Sequence, residues 1–268
     1  MHIELLCVGD VVGTPGRHAL QDGIAELTST RRIDCIIVNA ENAASGAGLT
    51  PALYDKIVAC GANLITLGDH IYRRREIIPV LERSDRIVRP ANLPVGAPGR
   101  QFAVTHTAQD HGVAVVSVLG RMFMKTMADS PFAAVDRVLA SIPKDIKVVV
   151  VDVHAEVTSE KVAMGWHLDG RVSVVFGTHT HIPTADETIL PHGTAYVTDL
   201  GMTGPYDSVL GRDRECVVRA MTSGVPSPFA VADGDARLCG GVVRVDTDTG
   251  RATSIERVCV RCAYERPT

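Results

Sequence analysis

The chain has 268 residues, 46% of them hydrophobic and 22% charged, with a formal net charge of −4. This is the composition of a globular protein and not of a disordered one, and the acidic balance argues against a dedicated nucleic-acid-coating or DNA-binding role. An anionic substrate remains compatible with it, because bound cations add positive charge that the residue count omits.

Ile3 to Val8 is a continuous apolar run ending in Gly-Asp, as expected of a strand buried on both faces. A loop over Gly13 to Gly16 follows, and Pro15 opens a helix running through Leu20, Ile24 and Leu27. Ile33 to Val38 reads as a second strand and Pro51 to Cys60 as a helix closed by Gly61. Leu64 to Leu67 reads as a third strand, and Ile77 to Leu81 lies in a helix. Further β-branched runs occupy Val113 to Val118, Val148 to Val153 and Val172 to Phe176, with a helix from Pro131 to Ile142 between the first two. After Gly193, short strands are expected at Ala195 to Thr198, Cys216 to Met221, Pro228 to Ala232 and Gly241 to Val245, finishing with Ala252 to Val260. The pattern is α/β with a β-rich C-terminal part, and with no repeat or linker the whole of 1–268 is expected to be one domain.

The seven cysteines, an odd number lying mostly in apolar runs, suit reduced core thiols. Cys259-Val-Arg-Cys262 has no second pair to complete a zinc site and reads as structural. The N-terminus enters a strand-like run without signal-peptide features, and no apolar stretch is long enough to span a bilayer. A soluble, cytoplasmic protein is the expectation.

Five strand ends carry polar residues of metal-ligand type: Gly9-Asp10, Asn39-Ala-Glu41-Asn42, Gly68-Asp69-His70, Asp152-Val-His154 and Gly177-Thr-His179-Thr-His181. In α/β sheets, ligands collect outside the carboxyl ends of the strands. Such an arrangement gathers Asp10, Glu41, Asn42, Asp69, His154, His179 and His181, too many donors for one four-coordinate ion. Two ions about 3.5–4 Å apart, sharing a carboxylate and a water, suit this set. The mixture of imidazole, carboxylate and amide oxygen favours Mn, Fe, Zn or Co over Mg or Ca. His179 and His181, two apart on an extended segment, point to one side. His70 diverges from Asp69 and faces the substrate as a proton donor, or else only orients Asp69; open space beside Gly68 favours the donor. The other histidines, at 2, 18, 106, 111, 167 and 192, have no such setting. Arg73-Arg74-Arg75 reads as a solvated helix face within reach of nucleotide phosphates. The Gly-rich turns at 13–16, 44–48 and 201–204 shape a mouth or are ordinary turns.

Taken together these phrases resemble the calcineurin-like metallophosphoesterases and, more narrowly, the YmdB-type cyclic nucleotide phosphodiesterases. The likeness also includes Gly9-Asp-Val-Val-Gly-Thr-Pro-Gly16, Arg89-Pro-Ala-Asn92, His154-Ala-Glu-Val-Thr-Ser-Glu160 and Asp199-Leu-Gly-Met-Thr-Gly-Pro-Tyr-Asp207. The resemblance implies a four-layer α-β-β-α sandwich with two mixed β-sheets. It also implies a dinuclear centre of two divalent transition metals, iron or manganese with zinc as a further option, bridged by Glu41. Asp10, Asn42 and His181 then complete one metal, Asp69, His154 and His179 the other, and His70 is the proton donor to the leaving oxygen after attack by a bridging hydroxide. The substrates it implies are 2′,3′-cyclic nucleotides, including RNA ends, and for some members 3′,5′-cyclic AMP; a homo-oligomer is also implied. One departure is Asp69, where the family has asparagine. Two other readings compete: an amidohydrolase, which the late position of His179-Thr-His181 disfavours, and a regulatory nucleotide- or RNA-end-binding protein with little turnover, which has no need of His70.

Overall fold

In the computed structural model, which describes residues 1–264, the first apolar run forms β1 (His2–Val8). Then follow α1 (Gly13–Thr30), β2 (Cys35–Asn39), α2 (Pro51–Ala59), β3 (Leu64–Thr66) and α3 (Ile78–Arg83). A second unit comprises β4 (Phe102–His106), β5 (Gly112–Leu119), α4 (Pro131–Leu139), β6 (Val148–His154), α5 (Thr158–Leu168), β7 (Val174–Thr178), β8 (Thr188–Ile189) and β9 (Ala195–Val197). The chain then returns through β10 (Gly204–Pro205), α6 (Arg214–Ser223), β11 (Ala236–Asp246) and β12 (Ala252–Arg261).

Two mixed six-stranded sheets result. The first runs β10-β11-β1-β2-β3 with β12 also on β11; β1, β2 and β3 are parallel, and β11 is antiparallel to β1. The second runs β4-β5-β6-β7-β9-β8, parallel from β5 to β9 and antiparallel at both edges. The period of two along a strand assigns its side chains to two layers. Ile3, Leu5 and Cys7 of β1 enter an apolar layer shared with Val148 and Val150 of β6 and with Val174 and Phe176 of β7. Leu6 and Val8 face the other way, against Leu20 and Ile24 of α1 and Ile57 of α2. On the far side, Val149 and Val151 pack against Val135 and Val138 of α4 and Met164 and Leu168 of α5. The order helix, sheet, sheet, helix is the four-layer sandwich expected. No helix of the described residues is long and apolar enough to cross a membrane.

The expected strand at Cys216 to Met221 is helix α6. The Asp213 side chain accepts from Cys216 N at 2.8 Å at its start, and Gly224, at φ 71°, closes it. End capping thus decides the conformation of a run whose β-branched pair Val217-Val218 suggested a strand. Pro228 to Ala232 forms no strand; only Val231 bridges, to Arg212. Strand β4 and helix α5 stand where neither was expected. The cysteines are unpaired, but Cys259 is exposed and sits opposite Cys239 across the β11–β12 ladder, Sγ to Sγ 3.5 Å, so its structural neighbour is not Cys262.

Candidate metal centre

The parallel strands of both sheets end on the same side of the molecule, and there all eight residues singled out above converge. Asp10 follows β1, Glu41 and Asn42 follow β2, and Asp69 and His70 follow β3; His154 ends β6, and His179 and His181 follow β7. Ligand atoms of Glu41, Asp69, His154 and His179 all lie within 4.8 Å of one another. His154 Nε2 is at the middle, 3.3 Å from Glu41 Oε2, 3.2 Å from Asp69 Oδ1 and 3.0 Å from His179 Nδ1. Around it, Asp10 Oδ1 is 3.9 Å from both His154 Nδ1 and His181 Nε2. His70 closes the other flank, its Nδ1 2.7 Å from Asn42 Oδ1 and its backbone N–H on Glu41 Oε2 at 3.1 Å. An open pocket of about 320 Å³ leads to the cluster, and Glu41, Asn42, His70, His179, His181 and Arg212 are among its walls.

Two glycines make this convergence possible. A Cβ on Gly68 would lie 2.3 Å from both Glu41 Oε2 and His154 Nε2, so the space expected to be open beside Gly68 is filled by those two side chains. At Gly9 a Cβ would lie 1.9 Å from the Gly201 carbonyl, which lets the loop after β9 rest on the end of β1 beside Asp10.

The His179-Thr-His181 segment is not extended. His179 has φ 93° and His181 φ 65°, both in the region that costs a non-glycine residue of order 1–3 kcal/mol. Asp199 holds the turn: its Oδ2 accepts from Thr180 Oγ1 at 2.7 Å and Thr180 N at 3.3 Å, and from Lys161 Nζ at 2.6 Å. Lys161 and Asp199 are both 1% exposed, an ion pair sealed from water beneath the turn. His179 N in turn donates to Asp10 Oδ2 at 3.0 Å, and His181 Nδ1 meets the Leu210 carbonyl at 3.0 Å.

A second buried carboxylate sets the tautomer of His154. Asp152 accepts from Asn39 Nδ2 (2.9 Å), Thr66 Oγ1 (2.6 Å) and Thr178 Oγ1 (2.7 Å). With its proton committed to Asp152, the Thr178 hydroxyl accepts from His154 Nδ1–H at 2.9 Å. His154 Nε2 is thereby aimed at two carboxylates, which requires a positive charge between or upon them. Without a cation the ring itself must hold a proton: burial pushes its pKa down, but Glu41, Asp69 and Asp10 more than reverse this, and it titrates well above the usual range. Burial likewise raises Glu41, yet His154 and His70 bring it down to about 2. Asp10 is pushed up to about 6 by burial, against the pull of His181 and His154. His179 falls to about 4 through burial and the charge of His154. Asp10 Oδ1 is also buried without a hydrogen-bond partner. Carboxylates this deeply buried, one with an orphaned oxygen, fit a cationic centre.

Asn42 is the one ligand candidate turned the wrong way. Its Nδ2 faces Glu41 Oε1 at 2.9 Å and His181 Nε2 at 3.3 Å, while its oxygen serves His70. Ligation through oxygen requires the amide to turn over. Arg73, Arg74 and Arg75 are exposed and do not line the pocket, whereas Arg212, which carried no sequence signal, does. Asp152 did have a signal: a lone carboxylate inside Val148 to Val153 must have partners. Lys161 had none.

The sequence profile of the YmdB-like protein family matches residues 6–258. A 2′,3′-cyclic-nucleotide 2′-phosphodiesterase of Bacillus subtilis (strain 168) is 42% identical over 258 residues, covering 96% of this chain and 97% of its own. Among solved structures, a hypothetical protein from Thermus thermophilus superposes with a TM-score of 0.88 at 39% identity, over 97% of this chain and 99% of that one. A protein of Mycoplasma pneumoniae described as a novel phosphatase does so with a TM-score of 0.91 at 33% identity, over 100% of this chain and 95% of that one.

Proposed function

This chain belongs to the YmdB-like protein family, and from that premise we propose that it is a metal-dependent phosphodiesterase acting on 2′,3′-cyclic nucleotides, free or at RNA ends, with 3′,5′-cyclic nucleotides as further substrates. The observation that carries the reading is the aim of His154 Nε2 at Glu41 and Asp69, beside the orphaned oxygen of Asp10.

Two divalent ions of iron, manganese or zinc would be held by Glu41 together with Asp10, Asn42 and His181 for one and with Asp69, His154 and His179 for the other. When bound, the pair supplies Lewis acidity and an activated water for in-line displacement at phosphorus. The chain's own residues do the rest. Thr178 and Asp152 keep His154 in the tautomer that presents Nε2. Asp199 fixes the turn that presents His179 and His181. The backbone N–H of His70 on Glu41 Oε2 holds the residue at the flank of the cluster, where its ring can give a proton to the departing ribose oxygen. Water's oxygen ends on phosphorus and the proton on the released 2′-hydroxyl, giving a 3′-monophosphate. Such a centre needs no contribution from the exposed triple arginine.

The test is turnover by the purified protein, reconstituted with Mn or Fe, on 2′,3′-cyclic nucleotides, 3′,5′-cyclic AMP and an aryl phosphodiester, with elemental analysis in parallel. Two tightly held metals per chain and chelator-sensitive hydrolysis of the 2′,3′-cyclic substrates are expected. No more than one metal sinks the dinuclear centre; two metals without hydrolysis sink the phosphodiesterase.

A further inference from the structure

Two charged groups in the pocket wall have no part in the centre just described: Glu156, whose Oε2 lies 3.3 Å from His179 Nε2, and Arg212. Arg212 is half-buried, and its guanidinium meets only backbone carbonyls: Nη2 donates to Gly46 O at 2.6 Å, and Nη1 to Ser45 O at 3.3 Å and Phe229 O at 3.4 Å. No carboxylate among the described residues is within ion-pairing distance. Among the described residues, these contacts leave Nε–H and one Nη2–H without an acceptor, and two such donors on a planar fork match two oxygens of a phosphate.

The group is held in place from both sides. Gly46, at φ 80°, lies so close under the guanidinium that a Cβ there would sit 2.6 Å from Nη1. Gly46 N donates to the Asn42 carbonyl at 3.0 Å, so the seat of Arg212 belongs to the same loop as Glu41 and Asn42. Two residues before Arg212, the Leu210 carbonyl receives His181 Nδ1. Arg212 is therefore fixed relative to ligands from both sheets. Some arginines are matched to acids, as Arg171 is with Asp136 and Arg257 with Glu187; Arg17, Arg83, Arg100 and Arg137 bind backbone carbonyls as Arg212 does, but none of these lines the pocket. Arg89 shows what a purely structural arginine looks like: it also binds carbonyls, of Gly99, Pro90 and Leu93, but is 3% exposed and away from the pocket. Burial lowers the pKa of Arg212, so it is a cation held partly out of water with no counter-ion of its own.

We propose that Arg212 binds a phosphate of the nucleotide substrate in the mouth of the catalytic pocket, by a bidentate contact from the guanidinium edge left free by Ser45, Gly46 and Phe229. This rests on the phosphodiesterase reading. The phosphate has two possible sources on one substrate: the reacting diester itself, or the next phosphate of an oligonucleotide that ends in the reacting one.

The experiment compares wild type, Arg212→Gln and Arg212→Lys, all metal-loaded, on a 2′,3′-cyclic mononucleotide and on a dinucleotide ending in a 2′,3′-cyclic phosphate. Both ligands are also titrated calorimetrically at a temperature where turnover is slow, and metal content and thermal midpoint are recorded. Arg212→Gln is expected to raise KM and weaken binding by about tenfold or more, with a smaller change in kcat and both metals retained. Arg212→Lys recovers only part of this, since a point charge cannot supply the fork. Equal losses on both ligands assign Arg212 to the reacting phosphate; a loss confined to the dinucleotide assigns it to the second one. Binding of both ligands within about twofold of wild type in Arg212→Gln, or full recovery by lysine, overturns the proposal and leaves Arg212 a loop staple like Arg89. If wild type binds these ligands without hydrolysing them, the phosphodiesterase reading fails, and the binding comparison still decides the role of Arg212.

Discussion

The two sheets contribute different chemistry to the centre. The sheet of β1, β2 and β3 ends in oxygen donors, Asp10, Glu41, Asn42 and Asp69, and three of these are no more than 2% exposed. The sheet of β6 and β7 ends in nitrogen donors, His154, His179 and His181, of which the last two keep side-chain exposures of 23% and 13%. The oxygen half brings the negative charge. The nitrogen half brings strained backbone, with two positive φ angles held down by a buried lysine–aspartate pair. Neither half is a site alone, because the first gathers mainly carboxylates and the second only imidazoles. Packing of the apolar layer between the sheets is what turns them into one centre. The boundary between the halves is therefore the place where a small change does most.

Gly68 sits on that boundary. Gly68→Ala inserts a methyl between Glu41 and His154, at an overpacking cost of ~1–3 kcal/mol. The fold should persist, while the halves are pushed apart. Activity is expected to fall by at least about a hundredfold, as displacements near 1 Å do at reacting centres. Metal content should fall with it. His154→Ala should also lose both metal and activity, since it removes the donor that touches both carboxylates. Elemental analysis beside circular dichroism is the check; a folded Gly68→Ala protein with two metals and wild-type rates would show that the halves are not rigidly coupled.

A loss of activity without loss of metal is expected at His70, which belongs to the oxygen half in sequence but is proposed to serve the substrate. His70→Ala should keep both metals and slow turnover by about a hundred- to ten-thousand-fold on a ribose leaving group. The loss should shrink on a nitrophenyl ester, whose departing oxygen hardly needs a proton. Equal losses on both substrates would make His70 a positioning group for Asn42.

The contrast between the halves also explains what the sequence reveals. The oxygen-bearing candidates stand out in the sequence because each comes a few residues after a short apolar run, so strand and candidate are read together, as at Val8-Gly9-Asp10 and Val38 to Glu41. The layers were legible for the same reason, through the period of two. His179 and His181 were legible as residues but not as geometry: local spacing suggests an extended pair, and the turn is imposed by Asp199, twenty positions after His179, and by Lys161 on α5. Nothing local marks such a tertiary contact. Helix α6 was misread because its ends, not its apolar pattern, determine it. Arg212 was invisible because its meaning lies in what it lacks, a carboxylate partner.

The dependence of the nitrogen half on Asp199 gives a third test. Thr180→Val deletes the hydroxyl bond to Asp199 and leaves the ion pair with Lys161 in place. Support of this kind is worth about tenfold in metal affinity, and Thr180→Ser should restore it. A competition titration against a chelator measures it. A lowered thermal midpoint with unchanged metal affinity would show that the turn serves folding only.

Asp69 carries the smallest expected effect and separates charge from geometry. Its carboxylate is 3.2 Å from His154 Nε2 and 3.6 Å from His179 Nδ1, so it faces the nitrogen half directly. Burial pushes its pKa up, but His154, His70 and His179 hold it below the ordinary carboxylate range, and it is ionised at neutral pH. Asp69→Asn keeps the shape and removes one negative charge, giving the residue that the family resemblance implies at this position. Two consequences follow from charge alone. Metal should be lost to chelator more readily, because one ionic ligand becomes an amide. At saturating Mn, inorganic phosphate should inhibit more strongly, since the centre is more positive towards an anion. The pH profile moves too: a negative charge raises the pKa of acids around it, so removing one lowers them, and the acidic limb shifts down by on the order of one pH unit. If Asp69 only accepts a hydrogen bond from His154, asparagine does the same through its oxygen, and neither phosphate inhibition nor the acidic limb moves. Phosphate titrations and rate–pH curves on wild type and Asp69→Asn distinguish these outcomes without requiring any change in fold.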